Sequence, residues 1–244
     1  MPCINKVFGY ICFINKLTAI VKKLLLIIFI YLPIFGFSQD YNENLRLPIW
    51  TFHTHNTTIY GVSIGAFSHT GSERFVRSNG IRLEIPGIGF LAPIGNGSPI
   101  TGIDTLKSTN FVFSEIINGI NISTGSWGNI NYNGVTIGLI AQYGNLNNGL
   151  ALAGLWNSMN MSNGIQISIL LNETLQSNGM QFSLSNGSLK MNGIQIGAVN
   201  SSHISNGIQI GLYNKSKETI GFQIGLWNVN EKRKLPILNC NFRK

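Results

Sequence analysis

The chain has 244 residues, with 28 Gly, 30 Asn, 11% charged residues, 44% hydrophobic residues and a formal net charge of +8. This length allows one or two domains with a sizeable core, and disorder is excluded because disordered chains carry more charge and fewer aliphatic residues. A nucleic-acid partner is not expected, because residues 40–230 hold eight basic and eight acidic residues and supply no basic stripe.

Residues 1–39 are typical of a secretory signal peptide. Lys16, Lys22 and Lys23 precede an apolar run over 24–37, which is followed by the polar stretch Ser38-Gln39-Asp40. A basic region, about 14 apolar residues and a small residue before polar sequence make up an export signal, and the run is shorter than the roughly 20 residues of a membrane span. The alternative is an uncleaved anchor. Removing 1–39 leaves a charge near +4 and Cys240 as the remaining cysteine, so we expect no internal disulfide.

Residues 40–117 are predicted to form an irregular N-terminal β region with degenerate repeats. Tyr60-Gly-Val-Ser-Ile-Gly65 matches the downstream repeat in five positions, and Asn79-Gly-Ile begins another copy. Between Pro86 and Asn118 the period is lost, which indicates an irregular insertion.

Motifs with catalytic associations occur in this region, but each has a simpler interpretation. Gly61-Val-Ser63-Ile-Gly65 fits a serine-hydrolase elbow, with His69 and Asp104 downstream, but it lies within a repeat copy instead of a strand–turn–helix. The Gly87–Ala92 segment fits a dinucleotide fingerprint, but Pro93 blocks the helix that this motif needs.

Two further pairs are weaker candidates. His53 and His55 lie on one strand face and resemble half of a metal site, although no Asp, Glu or Cys lies nearby at ligand spacing. Glu84 and Glu115 are a possible carboxylate pair for glycoside chemistry. We expect neither pair to be functional, and we predict no catalytic residue, cofactor or metal.

Residues 118–230 contain eight tandem copies of a 14–15-residue unit that begins with Asn-Gly in seven of them. The third and fifth positions are apolar in every copy, the fourth is Gln in the last five copies, and the sixth is always small. This alternation predicts β-strands with the apolar side chains on the buried face and Gln on the opposite face.

Two all-β architectures fit this period, a β-solenoid and an up-and-down β-barrel of the outer-membrane type. Adjacent copies resemble each other as closely as alternate copies do, which favours parallel stacking and therefore the solenoid. In a solenoid, equivalent amides form ladders along the axis. The predicted ladder residues are Gln166, Gln181, Gln195, Gln209, Gln223, Asn186, Asn200, Asn214 and Asn228.

Residues 231–244 are predicted to form a C-terminal cap, because charges and Pro236 discourage further edge pairing. Aromatic residues occupy related positions around the repeat corners, and they either cover the core or form an exposed row that binds glycans or a membrane interface. They are Trp127, Tyr143, Trp156, Tyr213 and Trp227.

The segments Gly-Ile-Gln-Ile-Gly-Leu-Tyr-Asn (207–214), Gly-Phe-Gln-Ile-Gly-Leu-Trp-Asn (221–228) and Leu-Pro-Ile-Leu-Asn-Cys-Asn-Phe (235–242) resemble a bacterial surface-repeat family. Its members are exported proteins of leptospiral and Bacteroidetes type with tandem Gly-Leu-Gln-Leu-Gly-Leu-x-Asn units. The resemblance is good over 163–242, looser over 118–162 and weak before that. It implies an exported protein of the cell envelope and brings no catalytic residue or ligand.

We therefore expect a non-catalytic, exported structural or interaction module of a Gram-negative bacterium, located in the outer membrane, at the cell surface or in the periplasm. Its partner would be a surface or envelope component of unknown identity, with outer-membrane association possible. The alternative is an integral outer-membrane β-barrel protein.

Overall fold

The computed structural model describes residues 44–68, 74–91 and 113–242, which belong to one compact unit, Glu43–Lys244. Within these ranges the regular structure is β, apart from a short 3-10 turn at Gly89–Leu91. The strands are β1 (Asn44–Arg46), β2 (Ile49–Thr51), β3 (Thr57–Gly65), β4 (Val76–Glu84), β5 (Glu115–Trp127), β6 (Ile130–Ala153), β7 (Trp156–Ser162), β8 (Ile165–Ile167), β9 (Leu171–Phe182), β10 (Ser185–Ile196), β11 (Val199–Val229) and β12 (Lys234–Asn241).

The chain winds into a β-solenoid of about nine turns, which confirms the all-β repeat prediction. Equivalent residues of successive copies pair in parallel register, as Asn178 does with Asn192 and Asn192 with Asn206. In the up-and-down alternative neighbouring strands would run antiparallel, which is not the pairing of the repeats. At about 4.8 Å per turn, nine turns are roughly 43 Å long.

The degenerate N-terminal region belongs to the same stack. Gly61 of β3 pairs with Gly80 of β4, and Gly80 pairs with Gly119 of β5, so the Asn-Gly register continues across the long insertion between β4 and β5. The short strands β1 and β2 both pair with β3. The insertion over 92–112 lies outside the described residues.

At the other end, β12 reverses direction. It pairs antiparallel with the final part of β11, from Gly221 opposite Asn241 to Val229 opposite Lys234. A strand of the next coil would be parallel, so this antiparallel strand occupies the edge on which another coil would otherwise stack.

The invariant Gly of each copy has a steric reason. Gly179, Gly193 and Gly207 have φ of 152°, 141° and 150°, in a region that L side chains rarely adopt. A Cβ on Gly193 would also collide with the carbonyl oxygen of Gly179 in the coil before it. Coils can therefore stack at strand spacing only if this column is glycine.

The predicted orientation of the strands is wrong, because the Gln side of each repeat faces the interior and the apolar side faces outward. Gln166, Gln181, Gln195, Gln209 and Gln223 all have 0% exposure. Third- and fifth-position residues such as Phe222 and Phe182 are exposed by 39% and 53%. Apolar clusters in the interior lie mainly in the earlier coils, around Ile117, Ile130, Tyr132 and Met159.

This inversion has a physical cause. Burial of an amide costs free energy only when its donors and acceptors are unpaired. In a parallel stack each buried amide lies next to an identical amide in the coil before and the coil after, and the two exchange a hydrogen bond. The interior of a narrow coil can therefore be filled with Gln, Asn, Ser and Thr.

Candidate interaction surface

The buried glutamines form a continuous ladder along the axis. Gln181, Gln195, Gln209 and Gln223 each donate Nε2–H to the Oε1 of the preceding glutamine, at distances of 2.8–3.0 Å. Each also lies 3.1–3.3 Å from a Ser or Thr hydroxyl seven residues earlier, as Gln195 Nε2 does from Ser188 Oγ. At the C-terminal end Asn239 Nδ2 donates to Gln223 Oε1 at 3.4 Å, so β12 extends the ladder.

The ladder ends at Gln166, whose Nε2 has no hydrogen-bond partner within the described part of the chain. Two positions at which the chain departs from the repeat pattern explain why this donor is unpaired. The preceding ladder position is Ala151, and the residue seven positions earlier is Met159. Neither side chain offers the acceptor that the later coils supply, so the first glutamine leaves one donor unsatisfied.

A second buried ladder consists of the corner asparagines, and its donors point in the opposite chain direction. Asn172, Asn186, Asn200 and Asn214 each donate Nδ2–H to the Oδ1 of the following asparagine at 2.8–3.1 Å, ending at Asn228. The same amides reach a backbone carbonyl, as Asn200 Nδ2 does at Ile210 O, 2.8 Å away. These bonds hold the chain at the corner of each coil.

A third ladder was not foreseen from the sequence, although the recurring Asn-Gly pairs were the signal for it. It joins the asparagines of successive Asn-Gly pairs through side-chain amide bonds of 2.7–2.9 Å. Its members are Asn79, Asn118, Asn133, Asn148, Asn163, Asn178, Asn192 and Asn206. This ladder lies at the surface, where each asparagine is partly or fully exposed.

In the N-terminal coils the interior column contains charges in place of amides. Arg82 occupies the position that Gln holds later and binds Glu115 through Nε and Nη2 at 2.6 and 3.1 Å. Its Nη1 donates to Glu84 Oε2 at 2.9 Å and to Asn121 Oδ1 at 3.0 Å. The guanidinium also lies 4.0 Å from the centre of the Phe52 ring. All three charged side chains are buried.

Electrostatics hold this cluster in its ionised form. Burial alone would raise the pKa of Glu84, but the charge of Arg82 and the hydrogen bonds from Ser68 outweigh it, so the pKa of Glu84 is below its ordinary value. Ser68 donates to Glu84 Oε1 through its backbone N at 2.9 Å and its Oγ at 2.6 Å. Glu84 and Glu115 are thus brought together, but both are committed to one buried guanidinium, which leaves no separated acid and base for glycoside chemistry.

The other sequence candidates are not assembled into sites. Ser63 is buried at 1% exposure within β3, in the interior column. His53 Nε2 accepts a hydrogen bond from Ala66 N at 3.3 Å, and no group of His, Cys, Asp or Glu in the described ranges could hold a metal ion. Gly89 begins the 3-10 turn and packs against the backbone at Gly125, while His69, Asp104, Ala92 and Pro93 lie outside the described residues.

The most prominent external feature is an apolar face formed by the third, fifth and seventh positions of five consecutive coils. No charged or polar residue interrupts it. It consists of Ile165, Ile167, Ile169, Met180, Phe182, Leu184, Ile194, Ile196, Ala198, Ile208, Ile210, Leu212, Phe222, Ile224 and Leu226. The seventh-position leucines protrude most, with Leu184, Leu212 and Leu226 exposed by 57%, 58% and 69%.

A groove runs along this face parallel to the solenoid axis. Its walls are the fifth- and seventh-position side chains, and its floor is formed by the small sixth-position residues Ser183, Gly197, Gly211 and Gly225. The groove is shallow and open to solvent, has a volume of about 770 Å³ and extends to Ile237 of β12. Contiguous exposed apolar surface of this kind marks an interaction site in soluble proteins.

The border of the apolar face carries aromatic residues, and the charges lie on the opposite wall of the coil. Tyr213 and Trp227 directly follow Leu212 and Leu226, and both are substantially exposed. Trp127, Tyr143 and Trp156 instead pack with Ala141 in a half-buried cluster, so the aromatic residues do not form one uniform row. All five charged residues between 163 and 230 lie beyond this border on the opposite flank: Glu173, Lys190, Lys215, Lys217 and Glu218.

No family model matches the chain, and no curated protein or solved structure shows significant similarity to it. Among the residues that the structure describes, no helix has the length and apolarity needed to cross a membrane.

Proposed function

We propose that this protein is a non-catalytic, exported module of the bacterial envelope whose function is to bind a partner through the apolar face. The observation that carries the proposal is the uninterrupted apolar surface over five coils, with every charge of those coils on the opposite flank. The glutamines and corner asparagines of these coils point into the interior, where they are closed to solvent and bond mainly to one another.

The repeat pattern supports the same proposal. Identical side chains recur at each coil, so the face offers the same contact many times along one axis, which suits an extended partner better than a single small substrate. The predicted export signal at 1–39 and the resemblance to surface-repeat proteins support a partner in the cell envelope.

Fractionation of the producing cells tests this function. We expect the protein in the envelope fraction, where a carbonate wash will distinguish peripheral attachment from integration. Replacing Leu212 and Leu226 by Gln should shift it to the soluble fraction, while the matched change of Ser201 and His203 to Gln on the opposite flank should leave it in place. Recovery of the unaltered protein entirely in the soluble fraction would contradict the proposal, as would substrate turnover abolished by one side-chain change.

A further inference from the structure

The apolar face combines a ridge with a groove that runs beside it. The ridge is the column of seventh-position side chains, in which Leu212 and Leu226 are among the most exposed. The groove lies between the fifth- and seventh-position side chains, and its floor at Gly211 and Gly225 carries no side chain. Ridge and groove both follow the solenoid axis and repeat once per coil, at about 4.8 Å. A surface that fills the groove along its length must therefore present apolar side chains in a straight row with this spacing.

A second copy of the chain presents such a row. Its seventh-position ridge is apolar and has the same spacing, because its coils are the same. A two-fold axis parallel to the solenoid axis, placed between ridge and groove floor, lays the ridge of each copy in the groove of the other. The two solenoids are then parallel, and equivalent coils lie at the same height. Interdigitation of identical side chains from two facing sheets gives a dry interface of the steric-zipper kind.

The area of the face matches what a stable dimer needs. Eleven of its fifteen side chains are exposed by 37–69%. At about 150–200 Å² for a fully exposed side chain of this size, these eleven present roughly 800–1,000 Å² of accessible surface. A standard protein–protein interface buries about 800 Å² on each partner, and homodimer interfaces are more apolar than other interfaces. The face is therefore both large enough and apolar enough to be covered by one further copy.

The positions of the charges permit this pairing. Gln223 Nε2 donates to Ser216 Oγ across the interior at 3.1 Å, so Lys215 and Lys217 lie on the wall opposite the apolar face. The fifteen face positions contain no charged residue. When two copies meet face to face, their basic side chains point away from each other. Pairing therefore buries no charge and brings no like charges together.

We infer that two copies of the chain pair through the apolar face, with parallel axes and with the seventh-position ridge of each copy in the groove of the other. This inference rests on the proposed function, since it names the partner of the same face as a second copy of this chain. Ile237 of β12, which is 75% exposed, lengthens the groove at its C-terminal end and is covered by the same contact.

Sedimentation of the purified full chain measures the pairing. We expect a particle of twice the chain mass of 26.8 kDa. Leu212→Gln with Leu226→Gln brings unpaired amides into the interface and should raise the dissociation constant by about 100-fold or more. Ser201→Gln with His203→Gln, on the opposite wall, should leave the dimer unchanged. Every variant retains residues 1–39, so association through that apolar segment does not account for a difference between them.

Disulfide cross-linking tests the parallel arrangement. In a chain whose three cysteines are replaced by Ser, Leu226→Cys should form a covalent dimer on mild oxidation, because the two-fold axis brings the same coil of both copies together. With antiparallel axes the last coil of the face would meet the first, and Leu226→Cys would link to a chain that carries Ile169→Cys. Ser201→Cys, on the opposite wall, is the control and should remain unlinked.

Two kinds of result would overturn the inference. One is a wild-type chain that sediments as a monomer at every concentration, or a dimer that the Leu212/Leu226 double variant retains. The other is linkage of Leu226→Cys to Ile169→Cys without linkage to itself. The proposed function fails separately. If a monomeric wild type still fractionates with the envelope and the double variant is released, the interaction function stands with another partner. If a face-dependent dimer forms but the protein is wholly soluble in cells, the pairing stands and the envelope function fails.

Discussion

At the scale of single residues, the stability of this protein depends on buried amides that satisfy one another. A buried, unpaired amide group costs about 1–3 kcal/mol, whereas a paired one is close to neutral or favourable. The Gln ladder pairs its inner members on both sides, but Gln166 at its start has an unpaired Nε2. Substitution of Gln166 and substitution of an inner ladder glutamine are therefore expected to change the free energy of unfolding by different amounts.

Substitution by Met, which has a similar volume, should reveal that difference. Gln195→Met removes the acceptor of Gln209 and the donor to Gln181, so two ladder bonds are lost inside the stack. Gln166→Met removes only the acceptor of Gln181. We expect Gln195→Met to lower the free energy of unfolding by about 2–4 kcal/mol and Gln166→Met by about half as much. Urea titration followed by circular dichroism measures both, and equal midpoints would disprove the ladder energetics.

The glycine column makes a separate prediction. Gly193→Ala places a Cβ against the backbone of Gly179, whose carbonyl carbon would be 3.0 Å away, at a φ of 141°. We expect a loss of about 1–3 kcal/mol, because the strain and the close backbone approach act together. The control is Ser201→Ala on the exposed flank, with an expected change of about 0.5 kcal/mol or less. A thermal midpoint for Gly193→Ala that matches the control would show that neighbouring coils can move apart to accommodate the Cβ without a loss of stability.

At the scale of elements, strands β4 and β5 are joined by the Arg82–Glu84–Glu115 cluster, which replaces the amide ladder. A buried ion pair contributes little net stability when it is intact, but breaking it leaves an uncompensated charge in the interior and costs about 3–5 kcal/mol. The cluster therefore holds the register of these two strands on either side of the long insertion at 92–112.

The cluster makes the stability of the N-terminal coils depend on pH. The pKa of Glu84 is lower in the folded protein than its unfolded value of about 4.3. Its contribution is therefore complete above about pH 4.3 and is lost as the pH falls through the lower, folded value. We expect the difference in unfolding midpoint between the wild type and Glu84→Gln to be largest near pH 7 and to narrow below about pH 4. The exposed Glu218→Gln serves as the control, and a difference that stays constant with pH would refute this assignment.

The repeats could be predicted from the sequence and the charged cluster could not. The difference lies in the sequence separation between the residues that pair. Each repeat pairs with a copy 14 or 15 residues away, so its period predicts both the strand and its neighbour. Arg82 meets Glu115 and Asn121 from 33 and 39 residues away, across an insertion without a period. Residue spacing alone does not indicate that such distant side chains share one interior column.

At the scale of the whole molecule, the solenoid is polar inside and apolar along one outer face. Alternation shows which side chains share a face but not which face is inside, and hydrophobicity alone suggested the wrong one. The signal that was available is the sixth position, which is always small and lies on the same side as Gln. A narrow coil has room only for small side chains near its corners, so an invariably small position indicates the side of the strand that faces the interior. Gln lies on that same side. Because the outer face is then apolar, it is the surface through which we propose that the protein binds its partner.

The stack of identical coils also predicts tolerance to the removal of a whole unit. Deleting residues 192–205 joins Met191 to Asn206, so Gln181 stacks on Gln209 and Asn186 stacks on Asn214 in the register that the wild type uses. Stability in such arrays is approximately a sum over neighbouring repeats, so one coil fewer should lower it only modestly. Deleting 192–198, about half a coil, instead places amides opposite residues that cannot pair with them. We expect a β-type circular dichroism spectrum and cooperative unfolding for the first variant and a misfolded chain for the second. If both variants unfolded, interactions beyond nearest neighbours would have to hold the solenoid together.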